Sequence, residues 1–201
     1  MDLFFIADII GIVAFAISGF LVALRNNLDL LGILIASFLT AIGGGIIRDI
    51  LIDRTPFVFT HTYPSLTIII TIVIVIVVNA QTKEKLEQSF LFTLSDTIGL
   101  VAFSLAGALL GIEAEFNFFG VLIVGFLTAI GGGVIRDVMI NEVPAILISD
   151  FYGSIALLSS ALLFMLHSFN VLNSATLASV ALGAITLRLL AYRYKWRLPK
   201  L

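Results

Sequence analysis

The stretch FLTAIGGGIIRDILI, residues 38–52, recurs almost letter for letter in this chain of 201 residues. The second copy, FLTAIGGGVIRDVMI, occupies residues 126–140, so that each of its positions lies 88 residues after its counterpart. The match extends beyond the motif without a gap, and roughly half of the positions between 8 and 56 are identical in the second copy. A repeat this close predicts two similar halves related by pseudo-symmetry.

The composition is that of a protein embedded in lipid. Hydrophobic residues make up 60% of the chain and charged residues 12%, whereas charged residues are about a quarter of a soluble domain. The apolar residues form blocks of about twenty, the length that crosses a hydrocarbon core of about 30 Å. We therefore predict an integral membrane protein. Cysteine is absent from the sequence, which excludes disulfides and thiolate metal sites.

The apolar blocks predict an all-α membrane protein with seven transmembrane helices. One block, residues 66–78, is rich in β-branched residues, but a helix is favoured because an open strand in lipid leaves backbone groups unpaired. The predicted spans are residues 3–24, 30–52, 58–79, 90–111, 116–140, 145–168 and 171–192.

Basic residues predict the orientation of the spans. The loops after spans 1, 3, 5 and 7 contain most of them: Arg25, Lys83, Lys85, Arg193, Lys195, Arg197 and Lys200. The positive-inside rule then places the C-terminus in the cytoplasm and the N-terminus outside a plasma (inner) membrane that the chain crosses several times.

Three spans per repeat imply that the second copy enters the membrane from the opposite side. Such an inverted repeat places a pathway between its halves near the midplane. The predicted organisation is repeat 1 in residues 1–80, a cytoplasmic linker in residues 81–89, repeat 2 in residues 90–169, and a seventh helix with a basic cytoplasmic tail in residues 170–201.

Each copy of the motif contains three consecutive glycines inside a predicted span. Each glycine costs a helix about 1 kcal/mol relative to alanine, so the triplets either bend or unwind the backbone or allow another helix to approach closely. Because both copies occupy inverted positions, we predict that helices 2 and 5 are kinked there and border the pathway. The triplets are Gly43, Gly44 and Gly45, and Gly131, Gly132 and Gly133.

Charged residues flank the glycines. Asp8, near the outer end of span 1, and Arg48, near the outer end of span 2, reach a similar depth, so we predict that they pair; Asp96 and Arg136 are expected to pair at the opposite face. Asp49 and Asp137 follow the arginines directly, and neighbours on a helix point about 100° apart, so we do not expect them simply to neutralise those arginines. The arginines either snorkel to the interface or face a wet cavity.

Further matched residues have two interpretations each. The hydroxyls of Thr40 and Thr128 either line a pore or bond back to helix carbonyls. Phe15 and Phe103 either pack in the core or form a hydrophobic constriction. The histidines are solitary, and no metal role is predicted for them.

With these motifs in view, the chain resembles the prokaryotic members of the trimeric intracellular cation (TRIC) channel family. The resemblance covers nearly the whole chain and rests on the duplicated GGG-x-x-RD motif, the three-plus-three repeat and the additional last helix. It implies a homotrimer with one pore per subunit that conducts monovalent cations such as potassium. It also implies that spans 1, 2, 4 and 5 line the pore and that the glycines kink spans 2 and 5.

The resemblance therefore implies a potassium-type cation channel whose partners are its own copies and membrane lipid. Some bacterial proteins of the same broad group have been linked to glycine uptake, so a secondary transporter of a small solute is the alternative. An enzyme is disfavoured because no nucleophile, base and orienting partner occur together. Neither a resident cofactor nor nucleic-acid binding is expected; the only ion implied is the permeant one.

Overall fold

The computed structural model describes residues 2–81, 88–148 and 151–196. All the regular secondary structure within these residues is helical. Short connections join the helices, and one of them contains a 3₁₀ turn at Phe57–Phe59. The helices are α1 (Asp2–Arg25), α2 (Leu30–Leu51), α3 (Tyr63–Gln81), α4 (Gln88–Glu113), α5 (Phe118–Met139), α6 (Ala145–Ile148), α7 (Tyr152–Ser168) and α8 (Ser174–Arg193).

The helices identify a multi-pass membrane protein. Five of them, α1, α2, α4, α5 and α8, are long and apolar enough to cross a membrane. Helices α3 and α7 contain shorter apolar stretches, Tyr63–Val78 and Tyr152–Ser168. The helical interpretation of the β-branched run is confirmed, because α3 contains all of residues 66–78.

Two helices begin later than the apolar pattern predicts. Helix α3 begins at Tyr63 rather than at residue 58, and α7 begins at Tyr152 rather than at residue 145. In both halves a short helical turn precedes the long helix, Phe57–Phe59 before α3 and α6 before α7, and its first residue donates a backbone N–H to an aspartate near the end of α2 or α5. Apolar character alone does not reveal such a loop.

Some sequence-based predictions fall on positions that the structure does not describe. Residues 82–87 of the proposed linker, with Lys83 and Lys85, lie outside the described residues. The same holds for residues 197–201 of the basic tail, with Arg197 and Lys200.

The repeat extends to the helix caps. Asp29 caps α2 by accepting a hydrogen bond of 2.8 Å from the N–H of Gly32. At the equivalent position Asn117 caps α5 by accepting one of 2.9 Å from the N–H of Gly120. A short side-chain acceptor at this position satisfies one of the free N–H groups of the first turn. The two halves are therefore built from the same local structure.

The halves pack against each other with opposite direction. Gly11 of α1 faces the ring of Phe103 in α4, and Gly99 of α4 faces the ring of Phe15 in α1. Since Gly99 and Phe103 are the equivalents of Gly11 and Phe15, an earlier position in one helix meets a later position in the other. This reciprocal pattern requires antiparallel helices related by a pseudo-two-fold axis.

The remaining helices surround this centre. Helix α2 packs on α5, α3 packs on α1, and α7 and α8 cover α4. The four central helices α1, α2, α4 and α5 therefore carry both copies of the repeated motif on neighbouring elements.

Candidate functional site

The glycine triplets lie where α2 crosses α5. A Cβ on Gly44 would collide with the carbonyl oxygen of Thr128, and a Cβ on Gly132 would collide with that of Thr40. A Cβ on Gly43 would lie 3.2 Å from the Cα of Gly132. Both helices continue without interruption through the triplets. The first two glycines of each triplet therefore serve close packing of α2 against α5. The backbone is not unwound there, and a bend at the triplets stays a prediction.

The matched threonines bond back to their own helices. The hydroxyl of Thr40 donates to the carbonyl of Ala36 at 2.6 Å, and that of Thr128 donates to the carbonyl of Val124 at 2.6 Å. Both side chains are completely buried. The structure thus shows the helix-bonding alternative for these residues, and a pore-lining role stays a prediction.

The matched phenylalanines meet on the pseudo-two-fold axis. The ring centroids of Phe15 and Phe103 are 5.1 Å apart, with an angle of 79° between the ring planes. Each ring is almost completely buried and fills the space beside a glycine of the opposite half. This edge-to-face pair packs between the two halves, which fits both core packing and a hydrophobic constriction.

The first charged cluster consists of Asp8, Arg48 and Asp49. Arg48 donates from Nη1 to Asp8 Oδ1 at 2.7 Å and from Nε to Asp49 Oδ1 at 2.9 Å. Its guanidinium also lies 4.9 Å and 5.8 Å from the ring centroids of Phe4 and Phe57. The predicted pairing of Asp8 with Arg48 is present, within a shell of carboxylates and aromatic rings.

The second charged cluster consists of Asp96, Arg136 and Asp137. Arg136 Nη1 lies 3.4 Å from Asp96 Oδ1, and Nε donates to Asp137 Oδ1 at 2.8 Å. The predicted pairing is present here too, but it is also relayed by Ser18 of the other half. The Ser18 hydroxyl accepts from Arg136 Nη1 at 2.7 Å and donates to Asp96 Oδ1 at 3.0 Å.

The structure corrects two expectations about these charges. The neighbours Arg48 and Asp49 do pair, as do Arg136 and Asp137. The arginine side chain is long enough for its Nε to curl back, so the angle between adjacent Cβ directions does not decide the contact. Snorkelling to the interface is also wrong, because Arg48 is 0% exposed and Arg136 is 1% exposed.

Asp49 and Asp137 each accept a second hydrogen bond, from the backbone of the loop that follows their helix. Asp49 Oδ2 accepts the backbone N–H of Phe57 at 2.9 Å, and Asp137 Oδ2 accepts that of Ala145 at 3.0 Å. Each aspartate therefore holds both an arginine and the loop that follows its helix. In the first half this contact holds the loop before α3, and in the second half it holds the first residue of the short helix α6.

Two residues of the site did not emerge from the repeat. Ser18 bridges Asp96 and Arg136, and the hydroxyl of the buried Tyr152 lies beside Gly133, 3.6 Å from where a Cβ on that residue would be. Their equivalents in the other half are Ala106 and Pro64. The signal for them in the sequence is a polar residue at a position where the other half has an apolar one, which the identities shared by the two halves do not reveal.

Two cavities adjoin the first cluster. A wide one of about 520 Å³ is bordered by Arg48, Arg54, His61, Tyr63 and Glu113 among others. A small one of about 10 Å³ is bordered by Asp8, Ile12 and Gly45 among others. Asp49 and Phe57 border both cavities. Arg48 is one of the residues that border the wide cavity although its side chain is completely buried, and the wet-cavity alternative stays a prediction. No group of three or more residues suited to hold a metal ion occurs in the described part of the chain.

Comparison with known proteins identifies the same two halves of the chain. A family model described as "Glycine transporter" matches residues 5–80 and again residues 93–168, which are the two halves of the repeat. The inner membrane protein YadS of Escherichia coli is 30% identical over 194 residues, which cover 96% of this chain and 93% of the relative. A membrane protein of Deinococcus radiodurans is 36% identical over 140 residues, 70% of this chain and 64% of the relative.

Solved structures of TRIC channels match over almost the whole chain. One, from work on conductance through TRIC cation channels, is 38% identical with a TM-score of 0.81 and covers 98% of this chain and 96% of its own. A prokaryotic TRIC channel crystallised in 0.5 M KCl is 31% identical with a TM-score of 0.85, covering 97% and 98%. This chain belongs to the TRIC family. The TRIC orthologue from Rhodobacter sphaeroides, described as trimeric, is 25% identical with a TM-score of 0.88, covering 98% and 100%. These TRIC neighbours are channels rather than enzymes.

Proposed function

We propose that this protein is a monovalent cation channel of the potassium type, with one pore per subunit of a homotrimer. The observation that carries the proposal is the match of almost the whole chain to solved TRIC cation channels at TM-scores of 0.81 to 0.88. The trimer rests on the description of the Rhodobacter sphaeroides orthologue as trimeric. The permeant cation is a transported ion and not a resident cofactor.

The geometry supports a passage that runs between the two halves and crosses their pseudo-two-fold axis. The wide cavity leads to Arg48, the small cavity lies beside Asp8, and the rings of Phe15 and Phe103 follow at the centre. The second charged cluster lies beyond the rings in the other half. Each cluster contains one arginine and two aspartates, so that each carries a formal charge of −1 when all its groups are ionised, which favours cations.

The membrane arrangement is part of the same proposal. We infer seven spans, with α3 and α7 as the two shorter ones, and the organisation into two repeats, linker and tail that the sequence predicts. The N-terminus lies outside and the C-terminus in the cytoplasm, and the protein resides in the inner membrane, as its relative YadS does by name. In the open state α2 and α5 bend at their glycine triplets and the Phe15–Phe103 pair separates.

Planar-bilayer recording tests the channel. Purified protein in a bilayer under a potassium chloride gradient is expected to give unitary currents that reverse near the potassium equilibrium potential. Exchange of potassium for sodium, and of chloride for a large anion, then measures selectivity. Absence of unitary currents, or reversal near the chloride potential, would refute the proposal.

A second candidate is a secondary transporter of a small zwitterion such as glycine. It is favoured by the description of the matching family model and by the inverted repeat, an architecture common in transporters. Proteoliposomes with labelled glycine distinguish the two functions. Saturable glycine uptake without unitary currents would establish the transporter and exclude the channel.

A further inference from the structure

Two polar contacts fasten α1 to the second half of the molecule. The Ser18 hydroxyl joins Asp96 and Arg136 of the second charged cluster. Asn26, which follows the last residue of α1, donates from its side-chain Nδ2 to Glu142 Oε1 at 3.0 Å, in the loop after α5. Because residues eight positions apart share one face of a helix, α1 is held at two levels along the same side.

The sequence rules out both contacts at the equivalent places of the other half. The residues that correspond to Ser18 and Asn26 are Ala106 and Ala114. A methyl group neither donates nor accepts a hydrogen bond, so the side chains at these positions cannot fasten α4 to α2 or to the loop after it. The polar fastening between the halves at these matched positions therefore belongs to the second cluster and not to the first.

The place that the Asn26–Glu142 hydrogen bond spans is an opening in the other half. Arg54, the equivalent of Glu142, borders the wide cavity of about 520 Å³. Glu113, which precedes the equivalent of Asn26, borders the same cavity. Beside the first cluster the molecule is therefore open, whereas a hydrogen bond between the halves crosses the matching place beside the second cluster.

We propose that the Asn26–Glu142 hydrogen bond is a latch that keeps the passage closed beside the second cluster while it is open beside the first. The amide of Asn26 is oriented for this bond, because its Nδ2 also donates to the carbonyl of Val22 at 3.0 Å. Asn26 is only partly buried and Glu142 is exposed, so a single bond between them is weak enough to break and form again. The inference rests on the proposed channel; in the proposed orientation the latched mouth is the cytoplasmic one.

Single-channel recording of three variants tests the latch. Asn26→Ala and Glu142→Ala are each expected to raise the ratio of open to closed time about two- to tenfold, the effect of losing one hydrogen bond that favours the closed state. The double variant is expected to gain no more than either single one, because both remove the same bond. Glu142→Gln keeps an acceptor oxygen and is expected to stay near the unmodified ratio. Unchanged ratios in both alanine variants, or effects that add in the double variant, would overturn the latch.

A reversible cross-link tests the closed mouth directly. The chain has no native cysteine, so Asn26→Cys and Glu142→Cys in one chain can be joined by a short bifunctional thiol reagent. We expect the cross-linked protein to lose its current and to recover it on reduction. Ala114→Cys with Arg54→Cys, the equivalent pair, is the matched control and is expected to cross-link poorly, because the wide cavity lies there. Equal cross-linking of the two pairs, or full current after cross-linking of the first pair, would overturn the latch.

The outcomes separate the latch from the channel. Absence of current in the unmodified protein refutes the channel, and mass spectrometry of the two cross-linked pairs then still shows whether the halves are closed beside the second cluster and open beside the first. Current that neither the alanine variants nor the cross-link alters refutes the latch and leaves the channel in place.

Discussion

Arg48 and Arg136 are the largest side chains that the structure buries almost completely. Each is held by two carboxylates and by at least one aromatic ring. Burying a charge is tolerated only when partners replace its hydration, and removing one partner leaves the others uncompensated. The arginines are therefore structural supports of the two clusters as well as candidate determinants of conduction.

Replacing Arg48 by alanine is expected to destabilise the protein by about 3–5 kcal/mol, because Asp8 and Asp49 would remain as buried carboxylates without their cation. Arg136→Ala is expected to destabilise the protein by a similar amount, because Asp96 and Asp137 would lose their cation in the same way. Thermal unfolding in detergent measures both effects. Arg25→Ala, at an exposed position at the end of α1, is the control and is expected to change little. Equal stability of Arg48→Ala and Arg25→Ala would contradict the buried cluster.

Among the elements, α1 is joined to α4 and α5 through Ser18. This hydroxyl connects Asp96 of α4 with Arg136 of α5, and so ties the first half to the charged cluster of the second. At the equivalent position of α4, Ala106 offers no such bond. The two charged clusters therefore differ in their hydrogen bonds to the opposite half, although the backbones around them repeat each other.

Ser18→Ala is expected to cost about 1–3 kcal/mol, because it removes the relay between two buried charges. Ser159→Ala provides the control, since Ser159 is equally buried but its hydroxyl donates only to the carbonyl of Ile155 in its own helix. Chemical unfolding of both variants gives the comparison. If the two substitutions reduce stability by the same amount, the relay contributes nothing beyond an ordinary buried serine.

The crossing of α2 and α5 depends on the absence of side chains at two glycines. Gly44→Ala and Gly132→Ala are each expected to push the helices apart, because the new Cβ would collide with the backbone carbonyl of Thr128 or Thr40. Gly183→Ala in α8 has nothing within 4 Å of its Cβ and is expected to be neutral or stabilising by up to about 1 kcal/mol. Yield and Tm of folded protein report the difference. Native stability of Gly44→Ala would show that the helices can separate without cost.

For the whole molecule, the repeat made much of the architecture predictable. Periodicity and composition identified the helices, and the odd number of spans per repeat led to the antiparallel halves that the contacts of Gly11 and Gly99 show. The Asp–Arg pairs followed from equal depth in the membrane. Asymmetric features were not predictable in this way: Ser18 and Tyr152 act through contacts between distant segments, and a repeat identifies only what its two halves share.

The proposed trimer, with one pore in each subunit, predicts that its three pores conduct independently. If each subunit has its own pathway, co-expression of unmodified chains with a blocked variant is expected to give channels whose conductance falls in steps of about one third. A single pore shared by the three subunits would instead be lost or retained as a unit. Unitary-current histograms from mixed trimers measure which pattern occurs.

The central claim, that ions pass between the two repeats of one subunit, is tested most directly by current block at a single cysteine. The chain has no native cysteine, so Ile12→Cys, at a buried position bordering the small cavity, reacts alone with a charged thiol reagent. Ile10→Cys, two residues away on an exposed apolar face of α1, is the matched control. We expect the reagent to react with Ile12→Cys when the channel is open and then to reduce its unitary current. The unitary current of Ile10→Cys is expected to stay unchanged. Undiminished current in Ile12→Cys would place the passage elsewhere and contradict the account.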